Sequence, residues 1–322
     1  MKYRELGASR IQVSEIGFGG WGIGGISKGG TSYGPTDDGE SERAIEKAFD
    51  LGVNFFDTAP IYGHSETLIG KTFKGRRDQV VIATKVGFLE NHRSQDFSNT
   101  NLVSSLHRSL RNLQTDYIDL YQLHNPSIRK LPMDEIIGTL NELRLKGLIR
   151  IYGVSIKSPD DGPAAIKFGA FSSLQTNLNM IDHRAIESGL LVQAKEQGVG
   201  LIARTPFCFG FLTGKITDFN FDPNDHRSKW STEQLKTWQR AAKLLAKVNP
   251  CSNSTLAQVA LRFCIDTEGI STVIPGMIKV SDVLENVAAT NLPHLSQETI
   301  QMIQKIYKDN DQFFIRQPSL CP

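Results

Sequence analysis

Short runs of apolar and β-branched residues recur along the chain at 15–19, 53–56, 80–84, 117–123, 151–154, 173–175, 200–203 and 271–274. They lack the polar alternation of a half-exposed strand, the pattern of a strand covered on both faces in a parallel sheet. Longer segments with apolar residues at helical spacing lie between them. Over 41–51, Ala44, Ile45, Ala48 and Phe49 share a face and Gly52 supplies a stop. Over 101–113, Leu102, Leu106, Leu110 and Leu113 form one stripe. Residues 133–145 and 254–265 read similarly, the latter from a cap at Ser254. Eight strand-then-helix units in series predict an α/β fold, a single (β/α)8 barrel domain over residues 1–322. A doubly wound open sheet competes, because periodicity does not report closure. Residues 2–13, around Gly7-Ala-Ser9, read as a β-hairpin ahead of the barrel. Residues 17–34, 205–232 and the tail from Asp309 read as long irregular loops.

Composition narrows the classes. The 36 Lys and Arg nearly balance 34 Asp and Glu in 322 residues, which excludes nucleic-acid binding by bulk positive charge. With 39% hydrophobic residues the chain supports a core rather than general disorder. No apolar stretch is long enough to span a membrane, and residues 1–20 lack the apolar run of an export signal, so the expected location is the cytoplasm. Cys208, Cys251, Cys264 and Cys321 stand far apart with no C-x-x-C pair, the pattern of free thiols rather than a metal or disulfide framework.

In barrel enzymes the reactive groups gather at the carboxyl ends of the strands. There the apolar runs end in Asp57, Lys85 and His124, and Tyr62 follows Asp57 within one loop. Singly, a strand-end Lys reads as an ion-pair partner, a lone His as a structural group and a loop Tyr as packing. Together at one mouth they are costly to bury unless they act as a set. They suit proton delivery to an oxygen. A free phenol titrates near ~10; an adjacent ammonium is expected to lower that value, with Asp57 orienting Lys85. His124 would polarise a carbonyl, and the missing hydride calls for a reduced nicotinamide. Trp21, Phe88, Phe207 and Phe209 read equally as pocket walls or as core. Asp37-Asp38 read as a solvated lead into a helix, and Trp230 and Trp238 as packing.

Asp57-Thr-Ala-Pro-Ile-Tyr-Gly63, Ala83-Thr-Lys-Val86, Leu123-His-Asn125, Ile274-Pro-Gly276 and Glu285-Asn286 occur in this order. This set resembles the aldo-keto reductase superfamily over residues 6–289. The resemblance implies a TIM barrel binding NADPH across its mouth, and a catalytic tetrad of Asp57, Tyr62, Lys85 and His124 with Tyr62 as general acid. It implies cofactor contacts from Gly20 and Trp21 in the first loop, Ser155 and Gln175 at the carboxamide, and Arg204 against the nicotinamide. Gly210, Leu212, Gly214 and Lys215 would cover the pyrophosphate; Gly276, Lys279, Glu285 and Asn286 would meet the adenosine.

Two positions depart from the pattern. Ile156 replaces the usual Asn after Ser155, so one expected hydrogen bond is either missing or supplied by Asn179. Ile278 stands where relatives often place an Arg facing the 2′-phosphate, which admits NADH; Lys279 or Ser281 at the following helix start would meet the phosphate instead. The expected partner is a small carbonyl compound, with no nucleic acid or membrane. The polar stretches Asn91-His-Arg-Ser-Gln95 and Asp225-His-Arg-Ser228 suit a hydroxylated, sugar-like or phosphorylated one. Two other functions compete: a lyase forming a Schiff base on Lys85, and a non-catalytic subunit that senses nicotinamide nucleotide.

Overall fold

The computed structural model describes residues 1–27, 32–89, 94–248, 253–310 and 313. Strands β1 (Tyr3–Glu5) and β2 (Gln12–Ser14) form the expected antiparallel hairpin, with Tyr3 opposite Ser14. Eight parallel strands follow: β3 (Phe18–Gly19), β4 (Phe55–Asp57), β5 (Val81–Val86), β6 (Ile118–His124), β7 (Ile149–Ser155), β8 (Ser173–Asn177), β9 (Gly200–Arg204) and β10 (Ile270–Ile274). Each apolar run becomes one of them, with ends moved by a few residues.

The strands lie side by side in chain order from β3 to β10. The two edges then meet: Ile16 bridges Val273 and Gly19 bridges Gly276, both parallel. That closure excludes the open sheet. It also explains Gly19, where an added Cβ would lie 2.8 Å from the Pro275 carbonyl oxygen.

Around the barrel run α1 (Asp38–Asp50), α2 (Ser65–Thr72), α3 (Asn99–Asn112), α4 (Met133–Leu145), α5 (Gly162–Ile166) and α6 (Arg184–Glu187). They continue with α7 (Leu190–Glu196), α8 (Thr232–Ala246), α9 (Leu256–Asp266), α10 (Val280–Ala288) and α11 (Gln297–Asp309). Asp37 caps α1 by accepting from the Glu40 amide at 2.6 Å. The cap of α9 is Thr255, not Ser254. Its hydroxyl accepts from the Gln258 amide, and the Gln258 side chain accepts from the Thr255 amide. Three residues after Ser254 stands Ala257, whose side chain has no acceptor to complete a capping box.

Alternate strand residues face the same way, and this places the site. Inside the barrel Phe55, Val81, Ala83, Leu120, Ile202 and Ile274 pack together, closed from below by Leu6, Ile11 and Val13 of the hairpin segment. Continuing along the same faces, Phe55 leads to Asp57, Ala83 to Lys85, and Leu120 to Gln122 and His124. Apolar layers thus fill the floor and polar groups stand at the carboxyl ends.

The two long loops there are joined, since Ser32 and Tyr33 bridge Asp225 and the His226 amide donates to the Ser32 carbonyl at 2.8 Å. Trp230 and Trp238 pack against each other and against Phe209, as expected. Cys208 and Cys264 are buried free thiols. Cys251, Cys321, Asn91, His92, Arg93 and nearly all the tail lie outside the described residues. Among the described residues no helix is long and apolar enough to cross a membrane.

Candidate active site

Four strands bring the site together. The Lys85 ammonium, fully buried, donates to Asp57 Oδ1 at 2.5 Å and to the Thr58 carbonyl at 3.0 Å. The other Asp57 oxygen accepts from Gln122 Nε2 at 3.0 Å and from Gln175 Nε2 at 2.8 Å. Lys85 Nζ stands 4.8 Å from the centre of the Tyr62 ring. Tyr62 meets His124 edge-on, ring centres 5.8 Å apart, and Phe88 meets the same imidazole edge-on at 4.9 Å. Trp21 approaches Tyr62 at 6.4 Å. Asp57, Tyr62, Lys85 and His124 therefore converge, with Trp21 and Phe88 as walls. Phe209 packs on His226 and Trp238 instead, and Phe207 lies against the core.

Charge follows from burial. Burial raises the Tyr62 phenol above its ordinary value; Lys85 pulls it down but does not offset this. The direction is thus opposite to the one expected from the ammonium alone, because the low-dielectric surroundings disfavour phenolate more than one nearby cation favours it. Burial works against the charge on Lys85 too, yet Asp57 and Tyr62 hold its ammonium above the ordinary value. The pair is a protonated phenol beside a charged ammonium.

Gln122, Thr58 and the Gln175–Asp57 bond were not anticipated. Gln122 sits within an apolar run, but it is two residues before His124 on the same strand, and that spacing puts both on one face. Its Oε1 is buried without a hydrogen-bond partner among the described residues, the kind of atom that a bound group satisfies.

The expected cofactor positions divide. Ser155 donates to Gln175 Oε1 at 3.2 Å, so these two sit together beside Asp57. Arg204, ending β9, donates to the Ile156 carbonyl at 3.1 Å. The Asn179 side chain donates to the Thr205 carbonyl in the loop after β9 and accepts from the Ile181 amide in its own loop. Gly20 is required by packing: a Cβ there would lie 2.8 Å from the Asp57 carbonyl oxygen. At Gly276 a Cβ would meet nothing within 4 Å, leaving an open backbone floor.

Gly210 and Gly214 adopt left-handed backbone at φ 95° and 73° on either side of a fully buried Leu212. Lys215 is paired with Glu285 at 2.5 Å, which brings the loop after β9 against α10. Asn286 donates to the Gly276 carbonyl. Lys279 is exposed just before α10. The polar Asp225-His-Arg stretch is turned inward: Asp225 is buried and holds Arg227 at 2.6 Å. Among the described residues no cluster of His, Cys, Asp or Glu is set to hold a metal.

Residues 15–308 match the model of the Aldo/keto reductase family. The chain belongs to that family. An uncharacterized oxidoreductase of Bacillus subtilis, YqkF, is 30% identical to it over 96% of the chain and 98% of its own length. The holo form of the aldo-keto reductase AKR11C1 from Bacillus halodurans superposes with a TM-score of 0.78, at 31% identity and 99% coverage of both chains. A rice protein described as a probable voltage-gated potassium channel subunit beta is 27% identical over 95% of the chain and 96% of its own length. Membership in the aldo/keto reductases implies carbonyl oxidoreduction with a nicotinamide cofactor.

Proposed function

We propose that this aldo/keto reductase reduces an aldehyde or ketone to the alcohol with a reduced nicotinamide dinucleotide, Tyr62 serving as general acid. The observation that carries the reading is the buried Lys85 ammonium, fixed by Asp57 at 2.5 Å and set 4.8 Å from the Tyr62 ring. When bound, the dinucleotide supplies a hydride. The protein supplies the rest. Tyr62 holds a proton on its phenol oxygen and passes it to the carbonyl oxygen as that oxygen gains charge. Lys85 stabilises the phenolate left behind, and Asp57 keeps Lys85 charged. His124, in edge contact with both Phe88 and Tyr62, orients the carbonyl.

The residues present fit a dinucleotide along the mouth. Trp21, Gly20, Ser155, Gln175 and Arg204 would hold the nicotinamide end, and the backbone of Gly210, Leu212 and Gly214 with Lys215 the pyrophosphate. Gly276, Lys279, Glu285 and Asn286 would hold the adenosine. The resemblance favours NADPH as the donor; the choice between it and NADH turns on the adenosine end. Because Asp225 and Arg227 satisfy each other, a hydroxylated substrate would draw little from that loop.

Replacing Tyr62 by Phe tests the reading. Turnover is expected to fall by about 10²–10⁴-fold, the usual worth of a general acid, while dinucleotide affinity stays within about twofold. A variant with near-normal turnover removes Tyr62 from the mechanism. Relatives described as channel subunits support a second reading, a nucleotide-sensing subunit without turnover. Loss of nicotinamide absorbance with a panel of small aldehydes separates the two. A Schiff base on Lys85 is disfavoured, since Asp57 keeps the amine charged and non-nucleophilic. Borohydride trapping of a carbonyl on Lys85 would reverse that judgement.

A further inference from the structure

In (β/α)8 barrels, phosphate groups are commonly held by the loops after strands seven and eight and by a helix amino terminus there. A free helix start attracts an anion through unpaired amides and the dipole. Here the helix after the eighth barrel strand is α10, and its start is already taken. Asp282 Oδ2 accepts from the amides of Ile278 at 3.1 Å and Lys279 at 3.3 Å. Glu40, reaching over from α1, accepts from the Val280 amide at 3.2 Å. Three successive amides thus face carboxylates of the protein itself.

The neighbouring cations do not compensate. Arg43 donates to Glu40 at 2.7 Å, so its charge is already matched. Arg43 and the Val280 amide hold the Glu40 carboxyl below its ordinary range, so it is ionised at neutral pH. Along the groove beside Val280, Lys71 is paired with Glu42 at 2.5 Å, and Lys47 shares the groove with Glu46 and Asp50. Ile278, which opens this turn with an apolar side chain, lies against Gly22 of the first loop, where an added Cβ would approach it at 3.0 Å. Among the described residues of this turn, the exposed Lys279 is the cation left.

We propose that Asp282 and Glu40, with Ile278 in place of a cation, make the adenosine end select a free ribose 2′-hydroxyl over a 2′-phosphate, so that the chain prefers NADH to NADPH. A phosphomonoester carries about −1.5 to −2 charges at neutral pH. It would meet two carboxylates and displace their amide bonds, whereas a ribose hydroxyl donates to a carboxylate. The same chemistry distinguishes the two dinucleotides elsewhere, an acid for the hydroxyl and an Arg for the phosphate. The inference runs against the NADPH expected from the resemblance, and it rests on the dinucleotide reading given above.

The test is binding without turnover. NAD⁺ and NADP⁺ are titrated separately into the full chain, with no carbonyl present, by calorimetry or tryptophan fluorescence. NAD⁺ is expected to bind at least tenfold more tightly. In the double variant Glu40→Gln, Ile278→Arg that ratio should fall at least tenfold. Equal or tighter NADP⁺ binding by the unaltered chain overturns the inference and leaves the reductase reading standing. Failure of both dinucleotides to bind overturns the two together. A ratio unmoved in the double variant overturns the assignment to these residues.

Discussion

Lys85 and Asp57 illustrate how a single ion pair sets both stability and chemistry. Both are buried, and Asp57 gathers three donors, from Lys85, Gln122 and Gln175. Replacing Lys85 with Met leaves that carboxylate without its counter-charge, a loss of about 3–5 kcal/mol for a broken buried pair. A melting temperature unchanged by Lys85→Met would contradict this. The pH dependence has a definite sign. Folding raises both the Lys85 ammonium and the Tyr62 phenol. Their protonated forms are thus favoured by the fold, and that stability is complete below about pH 10 and lost at higher pH. The general acid is accordingly loaded at neutrality, so carbonyl reduction should show no decline between about pH 6 and 9 attributable to Tyr62. A titration of kcat/KM near pH 7 that vanishes in Tyr62→Phe would show that the phenol is lowered instead. The four reactive residues were legible because each ends, or closely follows, an apolar run. Gln122 was not, because a polar residue inside such a run carries no mark until the inward face of the strand is known.

At the scale of elements, the last helix shows what a buried imidazole does. His183, just before α6, stacks on Tyr307 of α11 at 4.1 Å and on Phe263 of α9 at 5.1 Å. Burial lowers it to about 4 from 6.5. Protonation then favours the unfolded chain: the contribution is complete above about pH 6.5 and lost as pH falls toward 4, on the order of 3 kcal/mol. Replacing His183 with Phe should narrow the gap between melting temperatures at pH 7 and 4.5; an unaltered gap would locate the acid sensitivity elsewhere. Strand positions were readable from local pattern, and so was the Asp37 lead into α1. The start of α9 was misplaced by one residue, since Ser254 and Thr255 are equivalent caps until the reciprocal bond to Gln258 is seen.

For the whole molecule, the seam between β3 and β10 carries two duties. It closes the barrel through Ile16 and Gly19, and it leads directly into Gly20 and Trp21 at the mouth. Replacing Gly19 with Ala forces a methyl group to 2.8 Å from the Pro275 carbonyl oxygen. Overpacking of this kind costs about 1–3 kcal/mol, so the variant should melt lower and bind dinucleotide more weakly. Weakened binding alone, with an unchanged melting temperature, would show that the seam is not under this constraint.

The sequence by itself determined which segments become strands and helices and which chemical groups reach the strand ends, because periodicity and run endings are properties of consecutive residues. Tertiary structure alone decided that the sheet closes, that burial outweighs Lys85 at the Tyr62 phenol, that Lys215 meets Glu285, and that Glu40 and Asp282 cap α10. These depend on solvent exclusion and on groups far apart in the chain coming within a few ångströms, and no local pattern encodes either.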